Sequence, residues 1–135
     1  VKVVTITVRT RSRCELVSVT NEIHGALRDL GNPSGFCHLY VPHTTAGITV
    51  NEGADPAVAR DILRTLETIA PPDAGYQHLE GNADAHVKAA LVGSSLVLPV
   101  EEGRLLLGRW QTVFLCEFDG PRSRRLEVRV LTCLR

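Results

Sequence analysis

The chain has no excess of charge of either sign: 15 Lys and Arg balance 15 Asp and Glu, for a formal net charge of zero. Without a global field, nothing draws it toward nucleic acid or an anionic membrane, and neither is expected as a partner. No apolar run approaches the roughly 20 residues needed to cross a bilayer. No signal peptide precedes the first strand-like segment, so the cytoplasm is the expected location. The cysteines, Cys14, Cys37, Cys116 and Cys133, show no CxxC spacing. Three of them (Cys37, Cys116 and Cys133) sit in apolar runs, where cysteine acts as a small buried hydrophobe, so a disulfide framework is not expected. There is no repeat, low-complexity segment or linker, and no HxH or HxxxH pair fixes two histidines on one element. Tryptophan occurs once, at Trp110.

What remains is an ordinary domain-sized chain. Its 135 residues are 44% hydrophobic, and a domain of that length buries roughly two-thirds of its unfolded surface. A single domain spanning 1–135 is expected. Arginine outnumbers lysine 13 to 2, a bias that genome composition and heat adaptation would each produce.

Periodicity supplies the elements. Val4, Ile6 and Val8 alternate with Thr5, Thr7 and Arg9, the pattern of a strand with one buried face. A short strand follows at Glu15–Val19. Thr20 or Asn21 then caps a helix carrying Ile23, Leu27 and Leu30, stopped by Gly31. Gly35–Val41 and Ala46–Asn51 read as strands. Asp55-Pro56 is a strong helix start, because aspartate accepts the free amides and proline fits the first turn. Val58, Ile62, Leu66 and Ile69 continue that helix until Pro71-Pro72 breaks it. Asp84–Val92 reads as a short helix ended by Gly93. Ser95–Val100 and Arg104–Leu107 flank Glu101-Glu102-Gly103 as a hairpin. Trp110–Phe118 and Arg125–Cys133 are longer strands joined through Asp119-Gly120-Pro121. Helices in the first two-thirds and a closing strand meander predict an α+β domain, largely antiparallel sheets with about three helices.

Three histidines stand in polar runs that a fold alone does not demand. His43 opens His43-Thr-Thr-Ala and the stretch to Asn51-Glu52-Gly-Ala-Asp55. His78 ends Tyr76-Gln-His78, and His86 closes Asn82-Ala-Asp84-Ala-His86. Neutral imidazole is a good zinc ligand, and catalytic zinc commonly takes three protein ligands with one open position. Each histidine also has a structural reading as a turn, loop or cap residue. Glu52 follows a strand end and is free to move a proton or orient a ligand. Asp55 and Asp84 are equally suited to capping the helices they precede or open. His24 is expected to face solvent, and His38 to be structural or interfacial. Gly108-Arg109-Trp110-Gln111 places an amide, Gln111, within reach of a ligand. Arg122, Arg124 and Arg125 are either a solvated charge run or a forked clamp for phosphate.

Taken in order, these segments resemble the YjbQ family, long catalogued as uncharacterised. The resemblance is carried by His43-Thr-Thr-Ala, Asn51-Glu52-Gly-Ala-Asp55, Tyr76-Gln-His78, His86-Val-Lys88, Gly93-Ser-Ser-Leu, Leu98-Pro99-Val100, Gly108-Arg-Trp-Gln111 and Pro121-Arg-Ser-Arg-Arg125. It covers nearly the whole chain. Gly53 departs from the pattern, where asparagine is common. The resemblance implies an α+β domain assembled as a homotrimer, a metal-binding histidine site, and a secondary thiamine-phosphate synthase activity. That reaction joins hydroxymethylpyrimidine diphosphate to thiazole phosphate and releases pyrophosphate. The expected site therefore has His43, His78 and His86 as ligands of a divalent metal, zinc. Glu52 and Asp55 are its catalytic carboxylates. Asn51, Asp84, Gln111, Arg122, Arg124 and Arg125 are expected to meet a small phosphorylated substrate. A metal-dependent hydrolase of a phosphorylated compound, and a non-catalytic ligand- or metal-binding trimer, are the alternatives.

Overall fold

The computed structural model describes residues 1–132; Cys133, expected at the end of the last strand, lies outside the described residues. Eight strands and three helices follow one another as β1 (Val4–Arg9), β2 (Glu15–Ser18), α1 (Thr20–Asp29), β3 (Gly35–Tyr40), β4 (Ala46–Glu52), α2 (Pro56–Ile69), α3 (Ala83–Val92), β5 (Ser95–Glu101), β6 (Arg104–Leu105), β7 (Gln111–Glu117) and β8 (Ser123–Leu131). The domain is α+β with antiparallel pairing in both sheets, as the periodicity predicts. None of the helices among the described residues is long and apolar enough to cross a membrane.

The sheets are ordered β1-β8-β3-β5-β6 and β2-β7-β4. The last strands do not form the expected meander. β8 inserts between β1 and β3, while β7 leaves for the other sheet to join β2 and β4. Their composition accounts for this. β7 is buried continuously from Val113 to Glu117, as a central strand covered on both faces must be. On one side Val113 and Leu115 meet the larger core, shared with Leu39, Ile48, Leu126 and α1 residues Ile23 and Leu27. On the other, Cys116 and Phe118 pack with Ala85 and Ala89 of α3 and with Leu63 and Leu66 of α2. The layers are thus the five-stranded sheet, the three-stranded sheet, and the α2–α3 pair. The remaining face, the outer side of the five-stranded sheet, has Phe36, Tyr40 and Val97 exposed.

Local rules explain the element ends that matter for function. Asp55 caps α2, its side chain accepting from the Ala57 amide at 2.9 Å. Gly93 ends α3 at φ +99°, a backbone region that favours glycine. His24 is not solvent-facing as expected: its Nε2 accepts the Leu105 amide at 3.2 Å and holds β6 to α1.

Candidate functional site

β4 divides the expected site residues into two groups, one near each of its ends. Ala46 pairs with Glu117 at one end, and Glu52 pairs with Gln111 at the other. Six steps of extended chain separate them by about 20 Å. The histidines and arginines gather at the Ala46 end; Asn51, Glu52, Asp55 and Gln111 gather at the other.

At the Ala46 end, His43 and His86 line one cavity of about 370 Å³ together with Thr44, Gly93 and Ser94. His78 joins them edge-on to His86, ring centroids 5.2 Å apart and planes at 76°. An adjoining cavity of about 420 Å³ is shared by His43, Thr44, Tyr40, Arg122 and Arg124. The sequence elements meet here because α3 packs on β4, bringing His86 over Ala46, and because β8 runs beside β3, bringing the arginine turn to His43.

Hydrogen bonding assigns the imidazole tautomers. His43 Nε2 lies 2.8 Å from the Arg125 amide nitrogen, which can only donate. Nε2 is therefore an acceptor and the ring proton is on Nδ1. Burial, then the nearby charges of Arg124, Arg125 and Arg122 against the opposing pull of Glu117, hold this imidazole below its ordinary pKa. His43 is neutral at pH 7 and offers an N–H. His78 is the reverse case. Asn82 donates through Nδ2 to Asp119 at 2.9 Å, so its Oδ1 faces His78 Nε2 at 2.9 Å as an acceptor. His78 donates from Nε2 to a carbonyl oxygen, the partner that commonly orients a metal-binding histidine, which would then bind through Nδ1.

These states decide the fit of a divalent cation. His78 and His86 fit as a pair of nitrogen donors. His43 as placed does not, since binding a metal through either nitrogen requires giving up the Arg125 amide or the Nδ1 proton. No group of three His, Cys, Asp or Glu side chains surrounds one cation position among the described residues.

Arg122 lies in the turn before β8, and strand parity separates the other two arginines. Arg124 shares the inward face of β8 with Leu126 and Val128 and is buried, whereas Arg125 faces out. Arg124 Nε donates to both oxygens of Glu117, at 2.9 and 3.1 Å, and its Nη2 pairs with Glu117 and donates to Thr45 Oγ1 at 2.8 Å. Burial pushes the Glu117 carboxyl up, but bonds from Arg124, the Asp119 amide and Thr10 more than offset it, and it lies below the usual glutamate range. Arg122 is tied through Nε and Nη2 to Asp119. Arg125 makes no side-chain ion pair among the described residues. Of the expected phosphate clamp, Arg125 is open to solvent, Arg122 is half engaged, and Arg124 is a structural cation at the cavity wall.

Asp84 was expected at the substrate and lies inside instead, 0% exposed. It takes Arg13 Nη2 on both oxygens at 3.0 and 3.1 Å and Lys88 Nζ at 3.3 Å, and Lys88 also pairs with Glu67. Burial raises the Asp84 carboxyl, the bonds from Arg13 and Lys88 lower it, and the net is a pKa below the ordinary range. This cluster seats the first turn of α3 and so positions His86.

At the far end of β4, the carboxylates close on local backbone. Glu52 accepts the Ala54 and Asp55 amides, Asp55 caps α2, and Asn51 Oδ1 accepts the Glu52 amide at 2.7 Å. Gln111 Oε1 takes the Gly108 amide at 2.8 Å. Gly53 bonds the Trp110 carbonyl at 2.9 Å, and a Cβ there would stand 1.9 Å from Thr112 Oγ1, which accounts for glycine at this position.

Residues outside the sequence expectation complete the histidine end: Asn82 sets the His78 tautomer, Thr45 and Glu117 hold Arg124, and Arg13 and Lys88 hold Asp84. Glu117 had a usable signal, a carboxylate within the apolar run Val113–Phe118. Asn82 had none, because its role depends on a loop folding back.

Comparison with known proteins gives a consistent relationship. The model of a family described as UPF0047 protein YjbQ-like matches residues 4–133. The UPF0047 protein of Methanocaldococcus jannaschii is 46% identical over 124 residues, 92% of this chain and 90% of that one. YugU of Bacillus subtilis, also a UPF0047 protein, is 44% identical over 128 residues, covering 94% and 97%. Among solved structures, a conserved hypothetical protein of Thermus thermophilus is 49% identical with a TM-score of 0.89, covering 95% of this chain and 99% of that one. A hypothetical protein of Aeropyrum pernix reaches a TM-score of 0.92 at 36% identity, covering 98% and 100%.

Proposed function

The chain belongs to the YjbQ-like UPF0047 family, and on that premise we propose that it is a cytoplasmic, homotrimeric, metal-binding enzyme acting on a small phosphorylated substrate. The specific reaction we propose is the one the family resemblance implies: joining hydroxymethylpyrimidine diphosphate to thiazole phosphate, with release of pyrophosphate, as a side activity. The observation that supports it is the neutral His43, presenting Nδ1–H beside Arg125 at a cavity that also holds His86.

The chemistry asks for charge stabilisation more than for proton transfer. The thiazole nitrogen forms a bond to the pyrimidine methylene while the bond from that carbon to the diphosphate oxygen breaks. The electron pair leaves with pyrophosphate, and the ring nitrogen becomes cationic. Donors aimed at the leaving oxygens lower this barrier, and one preorganised donor is typically worth about 100- to 1000-fold in rate. His43 supplies such a donor. Its neutral state costs no proton rearrangement, and the Arg125 amide holds the ring in place. Arg125 adds a forked cation at the same edge. Arg124, neutralised by Glu117, forms part of the cavity wall. A divalent metal, zinc in the family resemblance, would be held by His78 and His86 and would supply Lewis-acid polarisation of a phosphate oxygen.

Purified protein given both substrates and divalent metal is expected to form thiamine phosphate, with a loss of about 100-fold or more in His43→Ala. No product from the wild type removes the synthase assignment. Saturable pyrophosphate binding without any turnover, against a panel of phosphate esters as well, identifies a binding protein instead.

A further inference from the structure

A second polar cavity lies at the other end of β5 from the histidines. Ser94, just before β5, lines the histidine cavity. Glu102, just after β5, lines a cavity of about 280 Å³ with His24, Arg28, Asn32, Gly103 and Arg104. About 20 Å of extended strand separates the two, so one small ligand does not reach both. We propose that this second cavity binds a small phosphate-bearing ligand, with His24 Nδ1–H and the guanidiniums of Arg28 and Arg104 as its donors. The site is independent of the reaction assigned to the histidine end.

The backbone sets His24 as a donor. The Leu105 amide can only donate, so Nε2 accepts it at 3.2 Å and the ring proton is on Nδ1. That N–H has no hydrogen-bond partner among the described residues. Burial, then the charges of Arg104 and Arg28, hold the imidazole below its ordinary pKa, and it is neutral at pH 7. His43 is arranged in the same way, with a backbone amide on Nε2 and arginines alongside.

A histidine that only pinned β6 to α1 would need no cations beside it. Here one guanidinium comes from a turn further along α1 and the other from β6. Neither makes an ion pair among the described residues. Bringing like charges together costs free energy, which an anion between them recovers. Forked guanidinium donors suit phosphate oxygens, and Asn32 adds an amide to the lining. The walls are tied before a ligand arrives: the Gly103 amide donates to the Pro33 carbonyl at 3.0 Å, and the Glu102 amide to Ser34 Oγ at 2.8 Å. Glycine is required for that closure, since a Cβ at Gly103 would stand 2.4 Å from Asn32 Oδ1. A cavity fixed in this way loses little freedom on binding. Glu102 is the carboxylate of the lining, and it limits affinity by opposing the two cations.

Amide NMR of the whole chain at neutral pH reads the site without turnover. An Arg125→Ala background separates it from phosphate binding at the histidine cavity. Titration with inorganic phosphate, and separately with glycerol phosphate, at constant ionic strength is expected to move the Leu105 and Gly103 amides along saturating curves. The tighter of the two probes identifies the ligand as free phosphate or as a monoester. Replacing both cations, Arg28→Gln with Arg104→Gln, is expected to weaken binding about tenfold or more. Circular dichroism should not change, because both side chains are exposed. Arg60→Gln on α2 should leave the affinity as it was, and Glu102→Gln should tighten it several-fold. Shifts that rise linearly without saturating, or a saturating response indifferent to the Arg28, Arg104 and Glu102 changes, overturn the proposal.

Discussion

The two ends of β4 use the same residue types to opposite effect. At the Glu52 end, polar side chains turn back on their own backbone: Glu52 to Ala54 and Asp55, Asp55 to Ala57, Gln111 to Gly108. At the Ala46 end, the internal bonds leave outward groups available: Nδ1–H on His43, Nδ1 on His78 and the Arg125 guanidinium. One end is finished by its own chain. The other is prepared for something that binds. The same contrast recurs one residue apart on β8, where Arg124 is buried against Glu117 and Arg125 faces out.

The sharpest way to break the comparison is at that adjacent pair. Removing Glu117 leaves Arg124 buried without its counter-charge, and removing one partner of a buried pair typically costs about 3–5 kcal/mol. Glu117→Ala is expected to lower urea stability by that amount, while Arg125→Ala changes it by no more than about 0.5 kcal/mol. Arg125→Ala should instead weaken pyrophosphate binding. Equal stability losses in the two variants would erase the distinction between wall and ligand-facing cation.

Asp84 gives the next largest effect. Asp84→Ala strands Lys88 with Glu67 alone and frees Arg13, and a loss of about 3 kcal/mol is expected in thermal or urea unfolding. The folded Asp84 and Glu117 carboxyls both lie below their ordinary range. Their contribution is therefore full above the unfolded carboxylate pKa of about 4 and is lost as pH falls through the lowered folded values. Urea midpoints should begin to fall below about pH 6.5, where the unfolded chain protonates His24 and His43 while burial holds both neutral in the fold, and should drop more steeply below about 4. In Glu117→Ala the acid-side drop should be shallower.

The smallest effect belongs to the finished end. Asp55→Ala removes one helix cap and should cost about 1 kcal/mol. Asp55→Asn, which keeps an accepting oxygen at the cap, should retain nearly all of that stability in urea unfolding.

Elements with a regular period were legible in the sequence. β1, β3 and all three helices fall within a residue or two of expectation, because alternation and capping are local. The assignment of β7 and β8 to different sheets was not legible, since strand order depends on pairing partners far away in the chain. The site divided along the same line. Asp55 before Pro56 announces its cap in two residues. Arg124 and Arg125 look alike in a charge run, and only the parity of Leu126 and Val128 separates them. Asp84 resembled a surface cap because its counter-charges come from Arg13, 71 residues away, and from Lys88 one turn along. His43 gave no hint of its tautomer, which depends on an amide from another strand.

The most direct measurement is the divalent metal content of protein purified without a histidine tag, taken alongside His43→Ala, His78→Ala and His86→Ala. The proposed site predicts about one equivalent per chain in the wild type, loss in His78→Ala and His86→Ala, and retention in His43→Ala with weakened pyrophosphate binding. Metal content unchanged when His78 and His86 are both replaced would contradict it.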